Sequence, residues 1–431
     1  MRVLLLGAYG LIGAELARRL AQDGHEVIGL GRSRRAARRV PSVSRWIYAD
    51  LRSLTEKNAW RFHLSRVEVV INAAGALQDG AKDDLSAVQD RSIRALIDAC
   101  EQQESVRRFV QISAPGATAD AETPFMRTKF VADEALKASN LDWVVFRPGL
   151  VISANAYGGT QLLRMLAAFP VVQPLTYGGR DLQTVAVSDV CDAVSRAVSG
   201  EAPSGDYDLV EPYAPRLRDI VLGLRAWLGY SAPLAVIEAP AWMAAPASWL
   251  ADLAGWLGWR SPLRSTAMRV IANNVVGDPA PWRGVTGRDL KPLAHTLSDM
   301  PATAQERLYA RAQLALPIVM LTLAAFWFAS GLIGYAHVAA ATTVLSGAIP
   351  YEAARTFVIG GSLLDMLLGV AVLFRRWSKA ALIGMLVMTA GYVGASIVFT
   401  PHLWGDPMGP MVKAIPAAVL AFVALALLEE R

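Results

Sequence analysis

Three glycines, Gly7, Gly10 and Gly13, stand as GAYGLIG between the apolar run VLLL and the amphipathic run LIGAELARRLAQ. That spacing lets a strand turn sharply into a helix and leaves the helix N-terminus, with its unpaired N–H groups, open to a pyrophosphate. A second apolar run ends near Gly31, which completes the context of a dinucleotide-binding turn. The expected cradle is Gly7, Ala8, Tyr9, Gly10, Leu11 and Ile12. A cofactor with a free ribose 2′-hydroxyl usually meets an Asp or Glu at the end of the second strand, but here the chain reads GLGRSRRAARR. Arg32, Arg34 and Arg35 suit a 2′-phosphate instead, because a guanidinium offers planar charged donors. NADP(H) is therefore expected in preference to NAD(H), with Arg32, Ser33 and Arg35 among its contacts.

The elements that must position this turn follow an α/β rhythm. VEVVINAAG, RRFVQISA and DWVVFRPGLVI are short runs apolar on both faces, as buried parallel strands are, and helix-period stretches such as LSAVQDRSIRALIDACEQQ separate them. Residues 1–230 are expected to form a doubly wound, Rossmann-like parallel sheet with a substrate lobe after about residue 150. Residues 231–313 form a second segment, rich in Ala and Pro, that carries Trp242, Trp249, Trp256 and Trp259. Two readings stand for it: a helical lid over the substrate cleft, or an interfacial membrane segment.

Residues 314–431 differ in kind. Only six of the 42 Lys/Arg and five of the 37 Asp/Glu of the 431-residue chain lie there. Leu314–Ala336, Phe357–Phe374, Ala380–Phe399 and Met411–Leu428 each approach the roughly 20 apolar residues that a bilayer helix needs. An all-α bundle of four transmembrane helices is expected. Arg307 and Arg311 precede the first apolar block, and Arg375, Arg376 and Lys379 join the second to the third, so the positive-inside rule puts the front domain and the C-terminus on the cytoplasmic side. Asp365 lies within the second block, where a carboxyl faces the bundle interior, pairs or serves a site. Gly331, Gly334, Gly360, Gly361, Gly369, Gly384, Gly391 and Gly394 read as close helix packing.

The net charge of +5 is diffuse and gives no argument for a nucleic-acid partner. Cys100 and Cys191 are far apart, and the five histidines lack ligand spacing, so neither a disulfide framework nor a metal site is expected. No cleavable signal sequence is expected, since VLLLG is too short for an apolar core.

The first 229 residues resemble the short-chain dehydrogenase/reductases, in the atypical branch that shares the spacing GxxGxxG with epimerase-like members. The resemblance implies that Asp50 and Leu51 in YADLRS border the adenine and that Ala73, Ala74 and Gly75 in INAAG lie beneath the adenine-ribose side. It also implies that Ser113 orients substrate, that Lys129 holds the nicotinamide ribose, and that Pro148 in RPG leads over the nicotinamide. The family's tyrosine falls four residues before the lysine, and that position here is Phe125. A phenyl ring donates nothing, so the family's proton relay is absent in its usual form. The accessory nucleotide-binding subunit of respiratory complex I is similar in tolerating this loss, and MRVIANNVVGDP with GRDLKPLAHTL resembles the tail of that subunit's relatives. The apolar blocks resemble the DoxX-like membrane family, whose members sit beside quinone-linked chemistry.

Two functions are consistent with these residues. One is a membrane-anchored oxidoreductase that passes hydride to a quinone or a lipid-like carbonyl, with Ser113 and Lys129 as its catalytic pair. The other is a non-catalytic nucleotide-binding sensor or assembly factor acting on a membrane-protein partner. Tyr157 in NAYGG is a packing residue or a replacement acid.

Overall fold

The computed structural model describes the whole chain except residues 77, 78, 80–83, 260, 262, 408 and 429–431. Its strands are β1 (Arg2–Leu6), β2 (Glu26–Gly31), β3 (Arg45–Tyr48), β4 (Val69–Asn72), β5 (Arg108–Ile112), β6 (Asp142–Pro148), β7 (Leu150–Ile152), β8 (Gln173–Leu175), β9 (Thr184–Ala186), β10 (Gly205–Leu209) and β11 (Val236–Glu238). Seven of them form one parallel sheet in the order β10-β6-β5-β4-β1-β2-β3. The chain winds outward from β1 to β3, crosses back to β4, and then proceeds the other way. This reversal opens a crevice at the carboxyl ends of β1 and β4, where open α/β sheets bind their ligands.

Alternation along each strand explains the two cores. Val3 and Leu5 point to one face, where they meet Leu16, Leu20 and Val194, while Leu4 and Leu6 point to the other, against Ile93, Leu96 and Phe109. Helices cover both faces, so the strands are apolar throughout. A third cluster, which includes Ile152, Leu163, Leu175, Ile220 and Leu224, packs the lobe built after β6, where β7 pairs with β9 and β8 with β11. The segment after Met268 joins this lobe: the Gln183 amide donates to the Val275 carbonyl at 2.8 Å, and the Gly277 amide donates to the Gln183 side chain at 2.7 Å.

The chain divides into two compact units. One comprises 1–252 with 261–310, and the other 253–260 with 311–430. Among the described residues three helices are long and apolar enough to cross a membrane: Ala304–Ala336, Tyr351–Ala371 and Ser378–Phe399. The first of these, at 33 residues, is about 50 Å long and outreaches a bilayer's hydrocarbon, so its polar first turns, with Arg307 and Arg311, extend past the apolar part. The fourth apolar block forms a shorter helix, Ala414–Leu427, and a separate short helix, Val338–Ser346, follows the first.

Small residues do set helix contacts in this unit. A Cβ on Gly369 would stand 2.7 Å from the Phe328 amide nitrogen, and one on Gly334 would stand 2.6 Å from the Ser362 hydroxyl. Gly360, Gly391 and Gly394, also expected at such contacts, face open space instead. Asp365 is buried and accepts a hydrogen bond from the Tyr392 hydroxyl at 2.8 Å, which gives its side chain a partner on the neighbouring helix.

Candidate functional site

Parallel register brings the expected contacts to one edge of the sheet. Leu6 pairs with both Leu30 and Asn72, Asn72 pairs with Gln111, and Ile112 pairs with Phe146. The residues that follow these strand ends are Gly7, Arg32, Ala73 and Ser113, and Pro148 closes β6. Asp50 lies two residues beyond β3. Residues scattered over more than 140 positions thus converge at the crevice.

The glycine turn is built by close backbone approach. Gly7 has φ +71°, and a Cβ there would stand 2.7 Å from the Ala73 carbonyl oxygen. The Gly10 amide donates to the Gly7 carbonyl at 2.8 Å, and a Cβ on Gly13 would overlap that same carbonyl. The helix Leu11–Gln22 then begins with neither a side-chain cap at Gly10 nor an acidic residue in its first turn. Its first N–H groups and the positive end of its dipole are thereby left for an anion.

Tyr9 in this turn leans over the end of β2, where the missing side chain of Gly31 makes room for its ring. Its hydroxyl accepts from the Arg32 amide at 3.1 Å. Tyr9 stacks on Trp46, Trp46 stacks on Tyr48, and the Arg34 guanidinium sits 5.0 Å over the Tyr48 ring. Arg32 and Arg35 are exposed, and the Ser33 hydroxyl caps the short helix Arg34–Ala37 by accepting from the Ala36 amide.

A carboxylate does approach this end of β2, from a different strand. Asp50 Oδ2 lies 3.9 Å from the Arg32 guanidinium, and Arg52 holds the same oxygen at 2.8 Å. Burial pushes the Asp50 carboxyl upward, but hydrogen bonds from the Arg52 side chain and amide, with the charges of Arg52 and Arg32, outweigh it and hold the group below the usual range. Leu51, its expected companion, is turned into the core beside Leu54 and Trp60. Ala73 and Ala74 are half-buried and Gly75 is exposed. The strand end is fixed by Asn72, whose side chain donates to Gln111 at 2.9 Å and accepts from the Ala74 amide at 3.1 Å.

Ser113, Lys129 and Asp133 come together at the end of β5. Thr123 caps the helix Pro124–Lys137 by accepting from the Met126 amide, and this helix lays Phe125, Lys129 and Asp133 at successive turns. Lys129 is buried, with Nζ donating to the Ile112 carbonyl at 2.9 Å and lying 5.7 Å from the centre of the Phe125 ring. Ser113 is also buried, and its hydroxyl donates to Asp133 Oδ2 at 2.5 Å. Arg147 Nε stands 3.9 Å from that oxygen, and the other Asp133 oxygen is buried without a hydrogen-bond partner. Burial pushes the Asp133 carboxyl up, against the Ser113 hydrogen bond and the charges of Lys129 and Arg147. Burial pulls the Lys129 ammonium down, against the attraction of Asp133. Both groups therefore shift toward their neutral forms.

The sequence reading missed Asp133. Its position four residues after Lys129, on the same helix face, was the available signal. It also missed Gln89, which donates to the Ala76 carbonyl at 2.9 Å and accepts from the Thr128 hydroxyl at 2.8 Å, tying the loop after β4 to the lysine helix. Tyr157 is 40% exposed, in the loop before the helix Gly159–Ala167. Cys100 and Cys191 are buried thiols, and burial pushes Cys191 up to about 12, which keeps it protonated and inert.

Residues 7–168 match the NAD(P)H-binding family, and residues 324–422 match the DoxX-like family. The chain joins an NAD(P)H-binding Rossmann domain to a DoxX-like membrane domain. The NAD(P)H-binding domain shares its fold with WbmG of Bordetella bronchiseptica, solved in complex with NAD and UDP, at a TM-score of 0.53 and 16% identity over 73% of this chain and 96% of that one. It shares it also with the UDP-glucose 4-epimerase of Thermus thermophilus in complex with NAD, at a TM-score of 0.50 and 20% identity over 69% and 98%. Among curated proteins it is 25% identical over 201 residues to a ceramide reductase of Caulobacter vibrioides, covering 46% of this chain and 60% of that protein. It is 26% identical over 148 residues to the photosystem II assembly factor Ycf39 of Cyanophora paradoxa, covering 34% and 44%. The match thus spans less than two thirds of either curated relative.

Proposed function

We propose that this protein is a membrane-bound, NADP(H)-dependent oxidoreductase that reduces the carbonyl of an apolar substrate, a lipid or a quinone. The observation that carries the reading is the buried Ser113–Asp133 pair beside Lys129, at the same strand ends as the glycine turn. The cradle fits the cofactor, since a Cβ at Gly7 or Gly13 would fill the turn and the helix behind it lacks a cap. Gly7 to Ile12 would hold the pyrophosphate, Arg32, Ser33 and Arg35 the 2′-phosphate, and Lys129 the nicotinamide ribose. Asp50, Ala73, Ala74, Gly75 and Pro148 would line the remaining surface.

When bound, reduced NADP supplies a hydride. The chain's own residues must supply the proton, and Phe125 has none to give. Ser113 has one. With Asp133 protonated, the carboxyl donates to Ser113 Oγ and the serine hydroxyl is free to turn to a substrate oxygen. Transfer along the pair leaves Asp133 ionised in the field of Lys129 and Arg147 until solvent reprotonates it. The apolar substrate class rests on the membrane domain and on the ceramide reductase among the relatives. The cation distribution supports a cytoplasmic front domain, Arg375–Lys379 loop and C-terminus.

A second reading, a nucleotide-binding sensor or assembly factor with a membrane-protein partner, is favoured by Phe125 and by the assembly factor among the relatives. NADPH oxidation by the full chain in detergent separates the two, using long-chain ketones, quinones and short soluble ketones. Turnover of the apolar acceptors ahead of the short ketones is the expected result. Tight NADPH binding with no turnover on any acceptor would decide for the sensor.

A further inference from the structure

The helix Ala241–Trp256 is apolar on every side yet almost unburied. Trp242, Trp249 and Trp256 recur at intervals of seven, which brings them to one helix face within about 20° per repeat. They are 72%, 64% and 65% exposed, and Met243, Leu250 and Leu253 beside them are exposed as well. The helix's one charged residue, Asp252, pairs with Arg264 at 3.5 Å. Monomeric proteins in water rarely leave so continuous an apolar surface uncovered.

The far end of this helix is fixed at a recognisable level. The Leu257 carbonyl accepts from the Arg375 amide at 3.0 Å, the Trp259 indole donates to the Leu373 carbonyl at 2.6 Å, and the Arg375 guanidinium lies 5.5 Å over the Trp259 ring. All of these residues belong to the membrane unit. Leu373 and Arg375 directly follow the spanning helix Tyr351–Ala371, where apolar sequence gives way to Arg375, Arg376 and Lys379. That change of composition marks the boundary between hydrocarbon and water. The helix that ends there has 16 residues, about 24 Å of length, too short to cross a hydrocarbon core of about 30 Å.

We propose that Ala241–Trp256 is an interfacial helix, lying in the headgroup–acyl boundary on the side of the membrane that carries Arg375–Lys379, with its tryptophan face in lipid. Tryptophan suits this place because its ring is apolar and its N–H reaches wet headgroups. The occupant of the exposed face is the bilayer of the same membrane that the three long helices cross. The proposal depends on neither a cofactor nor turnover.

A nitroxide label at Trp249→Cys in the full chain, reconstituted in lipid nanodiscs, tests it by comparing relaxation by oxygen with relaxation by a water-soluble nickel chelate. Labelling is selective because both native cysteines are buried. Phe62→Cys, 87% exposed on the α/β unit, serves as the aqueous control, and Phe357→Cys, in the span Tyr351–Ala371, as the hydrocarbon control. The expected result is a label that favours oxygen, at a depth of about 5 to 10 Å below the phosphates. Leu253→Cys, one turn along the same face and itself exposed, should report a similar depth, which guards against a local defect at the tryptophan. Nickel access equal to that at Phe62→Cys would overturn the proposal. So would shielding from both reagents, which would mean that a second copy or another protein covers the face.

Discussion

The Ser113 hydroxyl reaches Asp133 across 2.5 Å in a buried pair, and Lys129 precedes Asp133 by one turn of the same helix. A serine so placed is held by a carboxyl rather than by a tyrosine, because the ring at position 125 carries no hydroxyl. The pair is the one arrangement among the described residues of the lysine helix that joins a dissociable proton to Ser113.

If the pair supplies the proton, Asp133→Asn should lower carbonyl reduction at least tenfold at pH 7 while NADPH affinity stays within about threefold, a change under roughly 0.7 kcal/mol. Ser113→Ala should cost a similar factor, and the double variant little more than either alone, as for groups acting as a unit. The donor is the protonated form, present below the carboxyl's pKa and lost above it. Since burial raises that pKa, the rate should decline as pH rises through the raised value, and Asp133→Asn should abolish that limb. A steady-state pH profile checks both statements.

Phe125→Tyr restores a hydroxyl one helical turn from Lys129, whose Nζ already lies 5.7 Å from the centre of the ring. General acid catalysis contributes on the order of a hundredfold to ten-thousandfold, so even a poorly aligned phenol should raise slow reduction of a simple ketone above background. NADPH affinity should change by less than about threefold. Fast reduction of ordinary ketones by the unmodified protein would instead show that position 125 never limited the chemistry.

NADPH should bind on the order of tenfold more tightly than NADH, the factor that one charge-assisted contact supplies. Arg32→Ala should remove most of that preference. Asp50 lies 3.9 Å from Arg32 but nearer to Arg52, so the variant leaves Asp50 paired with Arg52. Calorimetric titration of the full chain in detergent with both nucleotides measures this, and equal affinities in the unmodified protein would refute it.

For topology, a cysteine at His402 should react with an impermeant reagent added outside intact cells, and one at Lys379 only after lysis. Both positions are exposed, whereas neighbouring Ser378 is buried and would not report. The reverse pattern would place the cationic loop outside.

The parts of this protein that were legible in its sequence are those set by local rules. The glycine turn could be read because three glycines between a strand run and a helix run permit one backbone path, and the α/β rhythm because buried parallel strands are apolar on both faces. The apolar blocks could be read because a bilayer imposes length and composition on a helix. Tertiary structure decided what depends on elements meeting. Asp50, two residues beyond β3, arrives beside Arg32, which follows β2, only because those strands are neighbours in register. Ser113 and Asp133 are twenty residues apart and become a pair only when the helix Pro124–Lys137 packs beside the end of β5. Leu51 looked like half of a cofactor contact, yet its side chain was turned into the core by the turn that Asp50 caps. The tryptophans after residue 240 left a lid and an interfacial helix equally open. Spacing alone gives a helix face, and only exposure together with the clamp on Leu373 and Arg375 indicates what that face meets.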